Sequence, residues 1–349
     1  MLTTVKRISF VCFFIFFYRH INGLILLTLT FSLCVILYNF ELCVRSAKPP
    51  ETLNNAVTQK SSYYMTASPT VTKHIGLHYH VAHPLNYHFI LNEPDKCSQW
   101  DPFLILTVPV APHEVNAHNA IRSTWGTESS VQGKAVLTLF LVGLTGGAEA
   151  QQKLEEESRR HRDLVQSNFV DSYFNLTIKT MVIMDWLATS CPQATYAMKA
   201  DSDIYINLEN LMSLLLSPNT PRQNYITGYL MWDRPVIRDK KSKWYVSEKL
   251  YPEPIYPTYV QGSGYIFSND LPEKIVEISK EVMGFNIEDA YVGVCLIRLG
   301  FALSSPPDPS QFRLHMGQYK REDFLRIISV RVGSPQQILN IWKDVKRPK

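Results

Sequence analysis

Hydrophobic and polar positions along the chain fall into three regimes. The first is unbroken apolar sequence: Ile21 to Phe40, "INGLILLTLTFSLCVILYNF", has no charged side chain and is long enough to cross a bilayer as a helix. A shorter apolar run, Ile8 to Tyr18, lies before it, separated by Arg19 and His20. The second regime, Pro49 to about Asn86, is mixed and polar with no sustained period, which reads as a stem or linker. The third begins near Pro102, where short apolar runs alternate with segments of helical period.

That alternation predicts strands and helices in turn. "FLILTVPV" (Phe103 to Val110) reads as a buried strand, and an amphipathic helix leads from it to "IRSTWG". "AVLTLFLVGL" (Ala135 to Leu144) is a second strand, followed by a charged helix, "AEAQQKLEEESRRHRDLV". A short strand "FVD" precedes the apolar helix "NLTIKTMVIMDWLATSC". "ATYAMKADSD" is the next strand, and "NLENLMSLLL" the helix after it. Strands and helices in this order predict an α/β fold with a mostly parallel central sheet covered on both faces. No internal repeat is visible.

Charge adds topology. Lys6, Arg7 and Arg19 precede the long apolar run, which places the N-terminus in the cytoplasm and the body on the other side. A cleaved signal peptide is the rival reading; the length of the run and the lack of a small-residue cleavage site weigh against it. The expected organisation is a cytoplasmic tail (1–20), a transmembrane anchor (21–40), a lumenal stem (41–88) and a catalytic body (89–349). The net charge of +4, with no basic run interleaved with aromatics, gives no support for a nucleic-acid partner. His74, His78, His80, His83 and His88 fall in or near the stem, where a solvated loop is a better reading than a metal site. In the body, Cys97, Cys191 and Cys295 cannot all pair with one another. Asn175 opens the one N-glycosylation triplet, Asn-Leu-Thr.

The candidate chemistry sits at "KADSDIYINL". Asp201 and Asp203 stand one residue apart where an apolar strand ends. Two carboxylates that close raise one another's pKa unless a cation lies beside them. A surface turn explains the pair simply, and a metal explains it functionally. Its place at a strand's carboxyl end, where open α/β sheets bind ligands, brings the metal level with the turn. Downstream, "YPTYVQGSGYIFSNDL" sets aromatics around Gly262 and Gly264, which allow a close backbone approach to a ligand or another strand. Glu288 and Asp289 open the helix "NIEDAYVGVCLIRLG", either as simple caps of the helix dipole or as a general base at a cleft.

Six segments, in order, resemble the β-1,3-galactosyltransferase family of Golgi type II membrane glycosyltransferases. They are "FILNEPDKC" (Phe89 to Cys97), "AIRSTWG" (Ala120 to Gly126), "DSYFNLTIKT" (Asp171 to Thr180), "CPQATYAMKADSDIYIN" (Cys191 to Asn207), "YPTYVQGSGYIFSNDL" (Tyr256 to Leu271) and "EDAYVGVCL" (Glu288 to Leu296). The resemblance implies a GT-A-type nucleotide-sugar transferase fold, a UDP-galactose donor, Mn²⁺, and a glycan acceptor on glycoprotein or glycolipid. It places the Asp-x-Asp motif on Asp201, Ser202 and Asp203, with Asp203 as metal ligand, and the general base of an inverting transfer on Asp289. Arg122 and Trp125 match an Arg-x-Thr-Trp motif, with either a donor-site or a structural role. The resemblance associates Thr-Asp-Ser-Asp with the galactosyl branch and a triple Asp with the N-acetylglucosaminyl branch, so Ala200-Asp201-Ser202-Asp203 favours galactose. The implied product is a β-1,3 linkage to an acceptor such as a GlcNAc-terminated glycan.

Three departures stand out. Val260 and Glu322 occupy positions where the family has cysteines, and Arg331 falls where relatives supply a histidine to the metal. Arginine has no lone pair to give. An alternative is therefore an impaired relative that binds glycans or escorts a partner enzyme. A metal-dependent hydrolase lacks a second ligand cluster.

Overall fold

The computed structural model describes residues 87–348. The expected tail and anchor, and the stem through residue 86, lie outside the described residues. Among the described residues no helix is long and apolar enough to cross a membrane.

The strands are β1 (Phe89–Leu91), β2 (Leu104–Pro109), β3 (Ser130–Val131), β4 (Lys134–Leu144), β5 (Leu164–Val170), β6 (Tyr196–Ala200), β7 (Ile204–Ile206), β8 (Ile226–Met231), β9 (Tyr259–Ser268), β10 (Phe312–Arg313) and β11 (Ser329–Arg331). The helices are α1 (Lys96–Trp100), α2 (Val115–Arg122), α3 (Ala148–His161), α4 (Leu176–Ser190), α5 (Leu208–Leu215), α6 (Leu271–Ile278), α7 (Glu288–Arg298), α8 (Arg321–Phe324) and α9 (Pro335–Lys346).

The main sheet has the order β1-β5-β4-β2-β6-β9-β8, with β3 added on β4. Its centre, β5-β4-β2-β6, is parallel as the alternating pattern predicts. Its margins are antiparallel: β1 on β5, and β9 and β8 beyond β6. The chain steps outward from β2 to β4 and β5, then returns across β2 to lay down β6. That reversal is a switch point, and ligands of such sheets bind at the carboxyl ends of the strands beside it. Asp201 to Asp203 emerge there.

Period-two patterning explains the two cores. All six residues of β2 are buried, as a strand covered on both faces requires. Leu104, Leu106 and Val108 join one cluster with residues of α2, α5 and α9. Ile105 joins the other, with α4, α6 and α7. Helix α4 is apolar around most of its circumference, and ten of its residues are buried. Trp125 is fully buried, and its indole N–H donates to the Ile204 carbonyl at 3.1 Å. Truncating it to alanine is expected to cost about 3–5 kcal/mol.

Two features differ from the sequence expectation or complete it. The charged helix stops at His161, because Arg162 turns into the left-handed region (φ 54°). Leu164 and Val165 consequently belong to β5, paired with Phe140 and Leu141, so this strand is longer than "FVD". Among the body cysteines, Cys97 and Cys191 form a disulfide, and Cys295 is free and buried.

β7 leaves the main sheet and pairs antiparallel with β11 in the order β10-β11-β7. This small sheet brings the C-terminal segment back to the Asp201–Asp203 loop, with Arg331 opposite Ile204.

Candidate active site

Asp201, Ser202 and Asp203 link β6 to β7, and all three are half-buried. The Asp201 amide donates to the Ser263 carbonyl of β9 at 2.8 Å, continuing the sheet one residue past Ala200. The Val332 amide donates to the Asp203 carbonyl at 2.8 Å. Backbone therefore fixes both ends of the motif.

The two carboxylates have different partners. Lys199, buried at the end of β6, donates its ammonium to Asp201 Oδ1 at 2.7 Å and to Glu288 Oε2 at 3.3 Å, and also to the Gly262 carbonyl. Glu288 Oε1 accepts from the Tyr265 hydroxyl at 2.8 Å. Burial alone would lower the Lys199 pKa, but the charges of Asp201 and Glu288 overcome it and hold the ammonium protonated. Asp203 Oδ2 accepts from Arg331 Nε at 2.7 Å, while its Oδ1 is buried with no partner in the protein. Burial raises the Asp203 pKa, and the Arg331 bond only partly offsets it.

Asp289 lies in the first turn of α7 and is half-buried. Its Oδ2 accepts from the Gly262 amide and its Oδ1 from the Ala290 amide, both at 2.9 Å. Burial and the adjacent Glu288 charge push it up to about 7, against the lowering effect of those two amides. This value suits a base working near neutral pH. Glu288 is less suited to that role, since it is buried and paired with the Lys199 ammonium, whereas Asp289 is only half-buried.

Gly262 joins these groups: its N–H holds Asp289 and its carbonyl holds Lys199. A Cβ there would stand 2.9 Å from Glu288 Oε2 and 3.1 Å from Asp289 Oδ2. At Gly264 a Cβ would stand 2.5 Å from Ile204 Cδ1, so the β7 side chain packed there would have to move. The close approach expected at these glycines is thus an approach to carboxylates at one and to a strand at the other.

The residues fit a hard divalent cation in a limited way. Oxygen donors suit Mn²⁺ or Mg²⁺, and the orphaned Asp203 oxygen is the kind of buried atom a cation satisfies. Among the described residues no group of three His, Cys, Asp or Glu could hold a metal. The remaining ligands would have to come from substrate and water, as hard cations at phosphate sites commonly arrange.

Arg122 is not brought to these carboxylates by any of its bonds. Its Nε and Nη2 donate to the two oxygens of Asp163 at 2.7 and 2.8 Å, and its Nη1 to Glu157 at 2.6 Å. The guanidinium also covers the Phe140 ring. Of the two roles left open for it, this geometry serves the structural one: it ties the end of α2 to α3 and to the turn before β5. Asn175 is half-buried at the N-terminus of α4, with Nδ2 donating to the Val170 carbonyl at 2.8 Å. The hydroxyl of Thr177 in the same triplet is buried and donates to Phe285.

Lys199, which joins Asp201 to Gly262 and Glu288, lies outside the Asp-x-Asp motif. Its signal was present, a lone charge within "YAMKA" where every residue is buried. A cleft of about 800 Å³ between α2 and α3, lined by His113, Asn119, Lys153 and Glu157 among others, contains none of these carboxylates.

Comparisons with known proteins complete the picture. A family model described as galactosyltransferase matches residues 116–307. Mouse beta-1,3-galactosyltransferase 2 is 37% identical over 317 residues, covering 88% of this chain and 75% of the relative. The human form is 41% identical over 272 residues, 76% of this chain, and the match spans 64% of that protein's length. Mouse beta-1,3-galactosyltransferase 1 is 41% identical over 267 residues, covering 76% of this chain and 81% of the relative. Among solved structures, galactosyltransferase LgtC with donor and acceptor sugar analogs overlaps at a TM-score of 0.37 and 10% identity, over 70% of this chain and 97% of that one. An overlap that slight carries no argument. The sequence matches place the chain among the hexosyltransferases. It belongs to the galactosyltransferase family.

Proposed function

We propose that this protein transfers galactose from UDP-galactose to the 3-hydroxyl of an acceptor sugar, with inversion, forming a β-1,3 linkage. A GlcNAc-terminated glycan on glycoprotein or glycolipid is the acceptor class. The observation that carries the chemistry is Asp289, a reachable carboxylate raised to about 7 and aimed by two backbone amides. In this reading Asp289 takes the proton of the acceptor hydroxyl as its oxygen bonds to the sugar's anomeric carbon. The bond to UDP breaks, and its electron pair leaves on the diphosphate. Asp203, with Asp201 and Ser202 beside it, would hold Mn²⁺, which when bound supplies Lewis-acid stabilisation to the leaving diphosphate. Lys199 fixes Asp201 and opposes the burial that raises the Glu288 pKa, and the Glu288 charge in turn raises Asp289. Incubating the full chain with a panel of UDP-sugars and acceptors, with linkage analysis of the product, tests the reading. Transfer of another sugar would change the donor, and no transfer at all would refute the proposal.

One observation favours a second reading, an impaired relative that binds glycans. Arg331 occupies an oxygen of Asp203 that a cation would otherwise use. Metal-dependent turnover in the same assay decides between the two.

For location we propose a single-pass type II protein of the Golgi membrane with its body in the lumen. The basic residues before Ile21 support this, and a disulfide between Cys97 and Cys191 suits an oxidising compartment. Protease added to sealed microsomes should spare the body; digestion from outside would reverse the topology.

A further inference from the structure

The loop between β8 and β9, and the turn after β5, rise at the same end of the sheet as Asp201 and Asp203. β8 runs parallel to β6, since both pair antiparallel with β9, and β5 belongs to the parallel centre. Each segment carries large aromatic side chains that the transfer chemistry leaves unused. Tyr173, just past β5, is 43% exposed and Trp244, in the β8–β9 loop, is 52% exposed. They are not independent surface residues. The Lys243 ammonium lies 5.1 Å from the Tyr173 ring centroid and 4.9 Å from that of Trp244. Two rings and a cation from distant parts of the chain are thus fixed together, facing solvent.

Their position identifies what they face. Tyr173 follows β5 and Trp244 follows β8, so both stand at the end of the sheet where Asp201 and Asp203 leave β6. The same β8–β9 loop carries Tyr256, whose hydroxyl is buried without a partner and whose ring stacks on that of Phe285, just before the helix that bears Asp289. A shelf on this side of the site borders the base, where the molecule bearing the attacking hydroxyl must lie. Its chemistry matches a sugar. A pyranose has one face of C–H groups that packs on aromatic rings, and an edge of hydroxyls that accept from an ammonium.

We infer that Tyr173, Lys243 and Trp244 form the acceptor subsite, on which the hexopyranose offering its hydroxyl to Asp289 lies flat. The inference rests on the transferase reading above. It assigns the long β8–β9 loop a part in holding the acceptor.

The test uses full-length wild type with Trp244→Ala, Tyr173→Ala and Trp244→Phe, each with its thermal midpoint checked. The probe is methyl β-N-acetylglucosaminide. Two quantities are read: KM for probe and for UDP-galactose, and saturation-transfer NMR from protein to probe without donor. Each alanine variant should raise the probe KM about tenfold or more, the scale of losing a well-packed aromatic contact. Both should also weaken the saturation-transfer signal, and Trp244→Phe should restore most of it. An unchanged probe KM, or a rise confined to the UDP-galactose KM, would overturn the assignment; the latter would give the rings to the nucleotide. If wild type transfers nothing, the transferase reading fails separately and the NMR decides. Probe binding by wild type that the alanine variants lose upholds a sugar subsite, and the absence of such a difference overturns it.

Discussion

Arg331 and Asp203, far apart in sequence, meet through the small three-stranded sheet: Arg331 Nε donates to Asp203 Oδ2 at 2.7 Å. The guanidinium is exposed, while the other oxygen of Asp203 is buried and free. Arginine thus stands beside the carboxylate proposed to hold the cation, at the position where family resemblance sets a histidine. It competes with a metal for Asp203, yet can itself pair with a diphosphate.

Replacing Arg331 with histidine should therefore lower the Mn²⁺ concentration needed for half-maximal turnover of UDP-galactose. Titrating metal against rate in the two proteins measures this. Equal requirements would mean that Arg331 does not oppose the cation.

The pH profile follows from Asp289. Burial and the Glu288 charge raise its pKa to about 7, and only the deprotonated form accepts a proton. Rate should therefore rise with pH through about 7 and fall about tenfold per unit below it. A kcat/KM profile flat between about pH 5 and pH 8 would exclude a base of this kind.

Lys199→Met should destabilise the fold and disable the site together. It leaves Glu288 buried without its cation and frees Asp201; breaking a buried pair from one side costs about 3–5 kcal/mol. Denaturant unfolding reads the loss. A variant as stable as wild type would show that the Glu288 charge needs no partner there.

Gly262→Ala is expected to impair transfer more than stability, because the added methyl meets the oxygens of Glu288 and Asp289 rather than a packed core. Comparing kcat with the thermal midpoint separates the two effects. Full activity in this variant would mean that Asp289 tolerates displacement.

Much of this arrangement is legible in sequence because its signals are local. The strands β2, β4 and β6 are apolar runs, and Asp201 and Asp203 break the last of them. Asp289 falls in a helix's first turn, where a carboxylate is expected. What could not be read locally depends on strand order. The antiparallel margins arise from β1, β8 and β9, and nothing local in these segments shows that they run against their neighbours. The role of Lys199 needs β9 and α7 beside it, for its partners lie at positions 262 and 288. Arg122 shows the reverse case: a motif match suggested donor contact as well as structure, and only the fold reveals Glu157 and Asp163 around it.

The account centres on Asp289 as the group that takes the acceptor's proton. Asp289→Asn preserves the shape and one acceptor oxygen while removing the basicity. The full chain should lose ~10²–10⁴ in kcat, the usual worth of a positioned base, with its affinity for UDP-galactose unchanged. Near-normal turnover by this variant, with product of the same linkage, would contradict the account.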